Sequence, residues 1–306
     1  MTIMELFSGV CTAMPTPFKK DLTIDFDAFK RMLDFQINSG VSALCILGTT
    51  GEAPALSFDE KIEIVKFALA TVANRVPLIF GIGGNNLKNI LELGHAICSL
   101  RSASREGAGG NAPKNNVAVL LSAPYYNKTT QDGAIKWFND IANEIKLPLI
   151  VYNVPTRTGM NLTPETISQI CKNKYVAGIK QATPNFAEYI DTIRLCPNTP
   201  MYAGDDGFAL PAYAIGARGI ISVASNVRPR ETIALWGVPP AQSSSLFLSE
   251  IPYYNALFCE INPSPVKYAL SLMGLCENYT RPPLTQLSEK SIIQHGFHKL
   301  FGETHN

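Results

Sequence analysis

Eight short apolar runs, separated by stretches of helical periodicity, restrict what this chain can fold into more than any other feature. They occupy residues 9–14, 43–47, 78–82, 117–122, 149–152, 176–180, 201–203 and 219–223. Each is apolar almost throughout, without the polar–apolar alternation of a sheet that has one wet face. Between them the period lengthens to that of a helix. Phe26, Phe29, Leu33 and Ile37 share one helical face, as do Ile62, Val65, Leu69 and Val72, and Ile135, Phe138, Ile141 and Ile145. Helix starts are marked too: Ser57 and Glu60 have capping-box spacing, and Thr163-Pro164 and Thr183-Pro184 each place a cap before a proline.

Strands buried on both faces and alternating with helices demand a parallel sheet covered by helices. Eight such units predict an α/β fold, a (β/α)8 TIM barrel over residues 1–228; a doubly wound open sheet is the alternative. From Pro229 the strand pattern stops. Residues 233–248, 253–257, 265–275 and 287–298 read as helices, so 229–306 is expected to form a C-terminal helical extension packed on the barrel. Residues 102–116, rich in Ser, Gly and Asn, are expected to be a flexible loop on the barrel face away from the chemistry.

Charge excludes whole classes of partner. The 26 basic and 25 acidic residues are spread along the chain, net +1, so no basic stripe awaits nucleic acid or an anionic membrane. The seven cysteines are scattered without a Cys-x-x-Cys, and the four histidines lie away from acidic clusters, so neither disulfides nor a metal are expected. No cofactor is expected either. Gly81-Ile82-Gly83-Gly84-Asn85-Asn86 lacks the third glycine and the acidic ribose partner of a dinucleotide turn. The first nine residues carry Glu5 and no basic segment, and nowhere do 18 apolar residues run together, so the protein is expected in the cytoplasm.

In such a barrel the chemistry gathers at the C-terminal ends of the strands, and there the unusual residues fall. Lys180 ends the sixth run. A lone lysine at a strand end is more often a snorkelling surface charge. At a buried rim, lost solvation disfavours the ammonium and frees an amine able to form a Schiff base with a ketone, and Tyr152 on the fifth strand is a candidate for the accompanying proton transfers. Gly48-Thr49-Thr50-Gly51 offers hydroxyls and approachable N–H groups for a small carboxylate, or is a plain glycine turn. Arg157 can grip a second carboxylate through two parallel hydrogen bonds, or make a surface ion pair. Tyr126 and Tyr152 can pass a proton through a threonine, or simply pack. Asp205-Asp206 reads as a hydrogen-bonding, helix-capping pair rather than a magnesium site.

Taken together, Gly48-Thr49-Thr50-Gly51-Glu52, Tyr125-Tyr126-Asn127, the segment from Tyr152-Asn153-Val154-Pro155 through Arg157-Thr158-Gly159, and Gly178-Ile179-Lys180 closely resemble the dihydrodipicolinate synthase family. The resemblance covers nearly the whole chain. Parts of it extend to a wider group of 2-keto acid aldolases that includes N-acetylneuraminate lyase, in which the arginine is usually missing. It implies condensation of pyruvate with L-aspartate 4-semialdehyde to 4-hydroxy-tetrahydrodipicolinate, in lysine and diaminopimelate biosynthesis. It also implies a homotetramer built from two tight dimers. By the same resemblance, Lys180 forms the imine and Tyr152 relays protons, with Thr49 and a Tyr126 from the neighbouring subunit completing the relay. Thr50 binds the pyruvate carboxylate, Arg157 the carboxylate of the semialdehyde, and Ile221 contributes a carbonyl beside the site.

Two departures qualify it. Gln181 follows the lysine where the synthases mostly have glutamate and the sialic acid lyases often glutamine, which leans toward the lyases, although Arg157 outweighs it. At the positions that meet the effector in lysine-inhibited members stand Phe58, Lys61 and Asn89, a set lacking the carboxylate and adding a cation, which implies weak or absent inhibition by lysine. A non-catalytic barrel protein is the remaining reading, since a fold does not entail a function.

Overall fold

Side chains alternate across a strand, so a run that is apolar throughout needs both of its faces dry. The computed structural model, which describes residues 6–106 and 117–302, supplies that environment eight times over. Parallel strands β1 (Gly9–Ala13), β2 (Ala43–Ile46), β3 (Leu78–Gly81), β4 (Val117–Ser122), β5 (Leu149–Asn153), β6 (Val176–Gln181), β7 (Met201–Ala203) and β8 (Gly219–Ser222) close in sequence order into a barrel, β1 pairing with β8. Each predicted run holds a strand, with ends moved by one residue at most. Leu47 drops out of β2 because its φ is +58°, and Asn153 and Gln181 join their strands because they pair with each other.

The two faces differ in bulk. Val10, Leu44, Phe80, Val119, Val151 and Ile179 point outward into the layer beneath the helices. Inside, β1, β2 and β6 present the small side chains Cys11, Ala13, Ala43, Cys45 and Ala177. Phe7 and Tyr202 fill the interior more fully: their rings stack at 4.1 Å and Tyr202 Oη donates to Phe7 O at 3.1 Å.

Local signals held in most places. The capping box at Ser57 and Glu60 forms in both directions, at 2.8 and 3.2 Å, and Thr163 caps its helix through the Thr166 N–H. Thr183 does not cap a helix directly. Its hydroxyl accepts from Asn185 N, and Asn185 caps the helix Phe186–Leu195, two residues further on. The expected loop at 102–116 also starts later, because the helix Leu87–Glu106 runs through residues 102–106. Ser99 and Ser102 bond back to the carbonyls of His95 and Cys98 within it. The remainder of that segment, 107–116, lies outside the described residues.

The C-terminal extension is helical, with different breaks from those predicted. Pro239-Pro240 splits the first expected helix into Pro229–Gly237 and Pro240–Leu257, and the second of these continues through Pro252 where a break was expected. Ser264–Leu272, Glu289–Gln294 and Phe297–Phe301 follow. Lys267 ties this region to the barrel rim. Fully buried, it pairs with Glu52, donates to Tyr279 O at 2.8 Å and lies 4.1 Å from the Phe18 ring centroid. Burial lowers its pKa and the Glu52 carboxylate opposes that shift. Arg281 adds a second tie: its backbone N–H reaches Glu52, and its guanidinium bonds Glu60 at both ends, holding the Glu60 carboxyl down at about 2. Among the described residues no helix is long and apolar enough to cross a membrane.

Candidate active site

Register brings the candidate nucleophile to its partner. Tyr152 of β5 lies opposite Lys180 of β6, which in turn lies opposite Tyr202 of β7, so all three point into the barrel. Lys180 is only 6% exposed, and its Nζ stands 4.4 Å from the centroid of the Tyr152 ring. The thiols of Cys11 and Cys45 share this interior. Burial pushes Cys45 up to about 11, against the pull of the Lys180 charge. Above Tyr152 opens a cavity of about 380 Å³ whose walls include Thr49, Ser122, Tyr125, Val154 and Arg157.

One step further along β6 the alternation reverses. Gln181 faces the outer layer, where its amide oxygen accepts from Asn153 Nδ2 at 2.9 Å and its amide nitrogen donates to Thr192 Oγ1 at 3.2 Å. It is fully buried away from the cavity, so the glutamine has no direct say in which substrate binds.

The carboxylate-binding candidates come from a turn held under tension. Leu47 adopts a left-handed conformation just before Gly48, and Glu52 another just after Gly51. β3 closes on this turn so tightly that a Cβ on Gly81 would sit 2.0 Å from the Leu47 carbonyl oxygen, which only glycine permits. Thr49 lines the cavity, whereas Thr50 lies behind it, 3% exposed, its hydroxyl accepting from Asn262 Nδ2 at 3.0 Å. That bond uses one lone pair of the oxygen and leaves the hydroxyl proton available to donate.

Arg157 sits on the single helical turn Pro155–Thr158, which ends at Gly159 with φ +67°. Thr158 locks the turn by donating to Val154 O and Met160 O. The guanidinium faces the cavity and donates to Asn262 O at 3.2 Å, so Asn262 touches both carboxylate-binding candidates. Asn262, Lys267 and Arg281 carried no local sequence signal. Each meets a rim residue more than 200 positions away in sequence: Asn262 meets Thr50, and Lys267 and Arg281 meet Glu52.

Other candidates support the rim from behind. Ile221 of β8 is 1% exposed and pairs with Cys11 of β1. The next residue, Ser222, donates to Asp206 Oδ1 at 2.5 Å, while Asp206 Oδ2 accepts from Val223 N and Ala224 N. Burial pushes the Asp206 carboxyl up to about 6. Asp205 accepts from Gly207 N, so both aspartates cap backbone turns.

Tyr126 is the exception. The residue is 90% exposed with φ +65°, and it takes no part in lining the cavity that Tyr125 lines. Phe58 and Asn89, at the starts of two helices, are exposed, and burial lowers the pKa of Lys61 one turn into the first of them.

An amine beside a phenol at the carboxyl mouth of a barrel, with candidate carboxylate-binding groups on the same rim, points to a class: barrel lyases that hold a keto acid as a lysine imine. Within that class, the chain belongs to the dihydrodipicolinate synthetase family, whose family model matches residues 6–299. It is 40% identical over 291 residues to the 4-hydroxy-tetrahydrodipicolinate synthase of Alkaliphilus oremlandii, covering 93% of this chain and 94% of the relative. It is 37% identical over 292 residues to that of Caldicellulosiruptor saccharolyticus, covering 94% of each. Its fold is similar to the crystal structure of dihydrodipicolinate synthase from Thermotoga maritima, with TM-score 0.86, 35% identity and coverage of 97% of this chain and 99% of that one. The chloride-inhibited enzyme from Acinetobacter baumannii, complexed with pyruvate, gives TM-score 0.88, 34% identity and coverage of 96% and 99%.

Proposed function

We propose that this lyase condenses pyruvate with L-aspartate 4-semialdehyde to 4-hydroxy-tetrahydrodipicolinate, using Lys180 as the amine nucleophile. The observation that carries the assignment is the burial of Lys180 with its Nζ 4.4 Å from the Tyr152 ring centroid, at the carboxyl rim of the barrel. The neutral amine attacks the pyruvate ketone, and loss of water gives an imine. Removal of a methyl proton then gives an enamine whose terminal carbon adds to the aldehyde of the second substrate. The amino group of that substrate displaces Lys180 and closes the ring.

Every step moves a proton, which is the work assigned to Tyr152 and Thr49, with Tyr126 supplied by a neighbouring copy in a homotetramer. Thr50, with its free hydroxyl proton, suits the pyruvate carboxylate, and the Ile221 carbonyl stands beside the imine. Arg157 suits the semialdehyde carboxylate, since a planar guanidinium matches two oxygens. Free thiols at all seven cysteines accord with the cytoplasm as the site of the reaction.

The test is borohydride reduction in the presence of pyruvate, followed by a coupled assay with aspartate semialdehyde and, in parallel, with sialic acid. The expected result is a pyruvate adduct on Lys180 and turnover with the semialdehyde alone. Absence of the adduct contradicts the chemistry; turnover with sialic acid alone contradicts the substrate.

A further inference from the structure

The turn after β3, Gly81-Ile82-Gly83-Gly84-Asn85-Asn86, has no place in the chemistry so far, yet it reaches the rim. Its glycines permit close approach: a Cβ on Gly83 would lie 2.9 Å from Ser122 Oγ, as one on Gly81 would collide with Leu47. Seated there, the turn extends Asn85 over the loop that follows β4. Asn85 Nδ2 donates to Tyr125 O at 2.7 Å, and its Oδ1 accepts from Tyr125 N at 3.1 Å. The same Nδ2 donates to Asn127 Oδ1 at 3.2 Å. One side-chain amide therefore pairs with Tyr125 as a neighbouring strand would, and grips the residues on both sides of Tyr126.

Tyr126 needs such a grip. Its φ of +65° and that of Lys128, +59°, lie in the left-handed region, which non-glycine residues keep only where their surroundings hold them. The Tyr126 ring, 90% exposed, gains little of that hold from packing within its own chain. We propose that Asn85 is a positioning residue for Tyr126, clamping the loop so that the phenol projects outward, in a fixed direction, toward the site of a second copy. Both ends of the amide are required. An aspartate at this position keeps the acceptor for Tyr125 N but sets a negative oxygen against Tyr125 O.

The inference rests on the reading that Tyr126 serves the neighbouring subunit, and the experiment separates the two. Asn85→Ala, Asn85→Asp, Tyr126→Phe and the two double variants are compared for kcat, pyruvate KM and borohydride trapping on Lys180. Misplacing a relay group lowers turnover without touching pyruvate capture, so each Asn85 variant should lose about ten- to a hundredfold in kcat at unchanged KM and full trapping. In the Tyr126→Phe background, where the hydroxyl is already gone, neither Asn85 substitution should lower kcat further. Wild-type kcat in both Asn85 variants, or losses that multiply in the double variants, overturns the inference alone. A wild-type protein that traps no pyruvate overturns the functional reading and the inference with it. Asn85→Asp keeps the size and one hydrogen bond of the original, so the comparison stands even if Asn85→Ala assembles poorly.

Discussion

Tyr152 and Tyr126 are proposed for one proton relay, yet the fold treats them in opposite ways. Tyr152 is 7% exposed, registered strand to strand against Lys180 and covered by its own barrel. Tyr126 is 90% exposed on a loop with left-handed residues and does not line its own cavity. The difference divides the site into two parts. On the proposed reading, the half that captures pyruvate lies inside one chain, where rigid elements hold groups in place. The half that finishes the proton relay is, on the same reading, completed by a second copy, whose site the exposed Tyr126 enters.

Substitutions on the enclosed side should have the largest effects. Lys180→Ala removes the nucleophile and should lower kcat by about 10³-fold or more with loss of the borohydride adduct, while circular dichroism shows the barrel intact. If the adduct forms as before, another amine is the nucleophile and the division is wrong. Tyr152→Phe keeps the ring beside Lys180 and removes only the hydroxyl. The expected loss is about 10²- to 10³-fold in kcat with little change in pyruvate KM, and unchanged turnover would take Tyr152 out of the relay.

The enclosed half also depends on the C-terminal extension, through the buried pair of Glu52 and Lys267. Lys267→Met strands the Glu52 carboxylate and should destabilise the protein by about 3 kcal/mol in urea unfolding, most of it recovered by adding Glu52→Gln. Additive losses in that pair would mean the two residues act separately. The smallest effect belongs to the outer side. With Phe58, Lys61 and Asn89 near the rim, free lysine should leave turnover essentially unchanged, and an inhibition constant in the low millimolar range or below would contradict that.

What could be read from the amino-acid order follows the same division. Strands and their rim residues were legible because burial on both faces writes an unbroken apolar run, and because Lys180 ends one. The outward direction of Gln181 was contained in the same period of two, although its identity invited a functional weight that its position denies it. Asn262, Lys267 and Arg281 could not be found, since each acts on a partner more than 200 residues away and sits in no pattern of its own. Ser102 misled, because a serine can satisfy itself on the carbonyl one turn back and remain helical. Tyr126 gave no hint of its φ, since tyrosine has no preference for the left-handed region and is held there by Asn85.

The claim that one site draws on two chains can be tested by mixing two impaired proteins. Lys180→Ala and Tyr126→Phe, dissociated together and reassembled in equal amounts, form hybrids in which one site carries both lesions and the other carries neither. If Tyr126 works in the partner's site, the mixture should regain about a quarter of wild-type activity, because about half of the pairs are hybrids with one intact site each. A mixture no more active than the two variants measured separately would contradict the account, because it would put Tyr126 to work within its own chain or not at all.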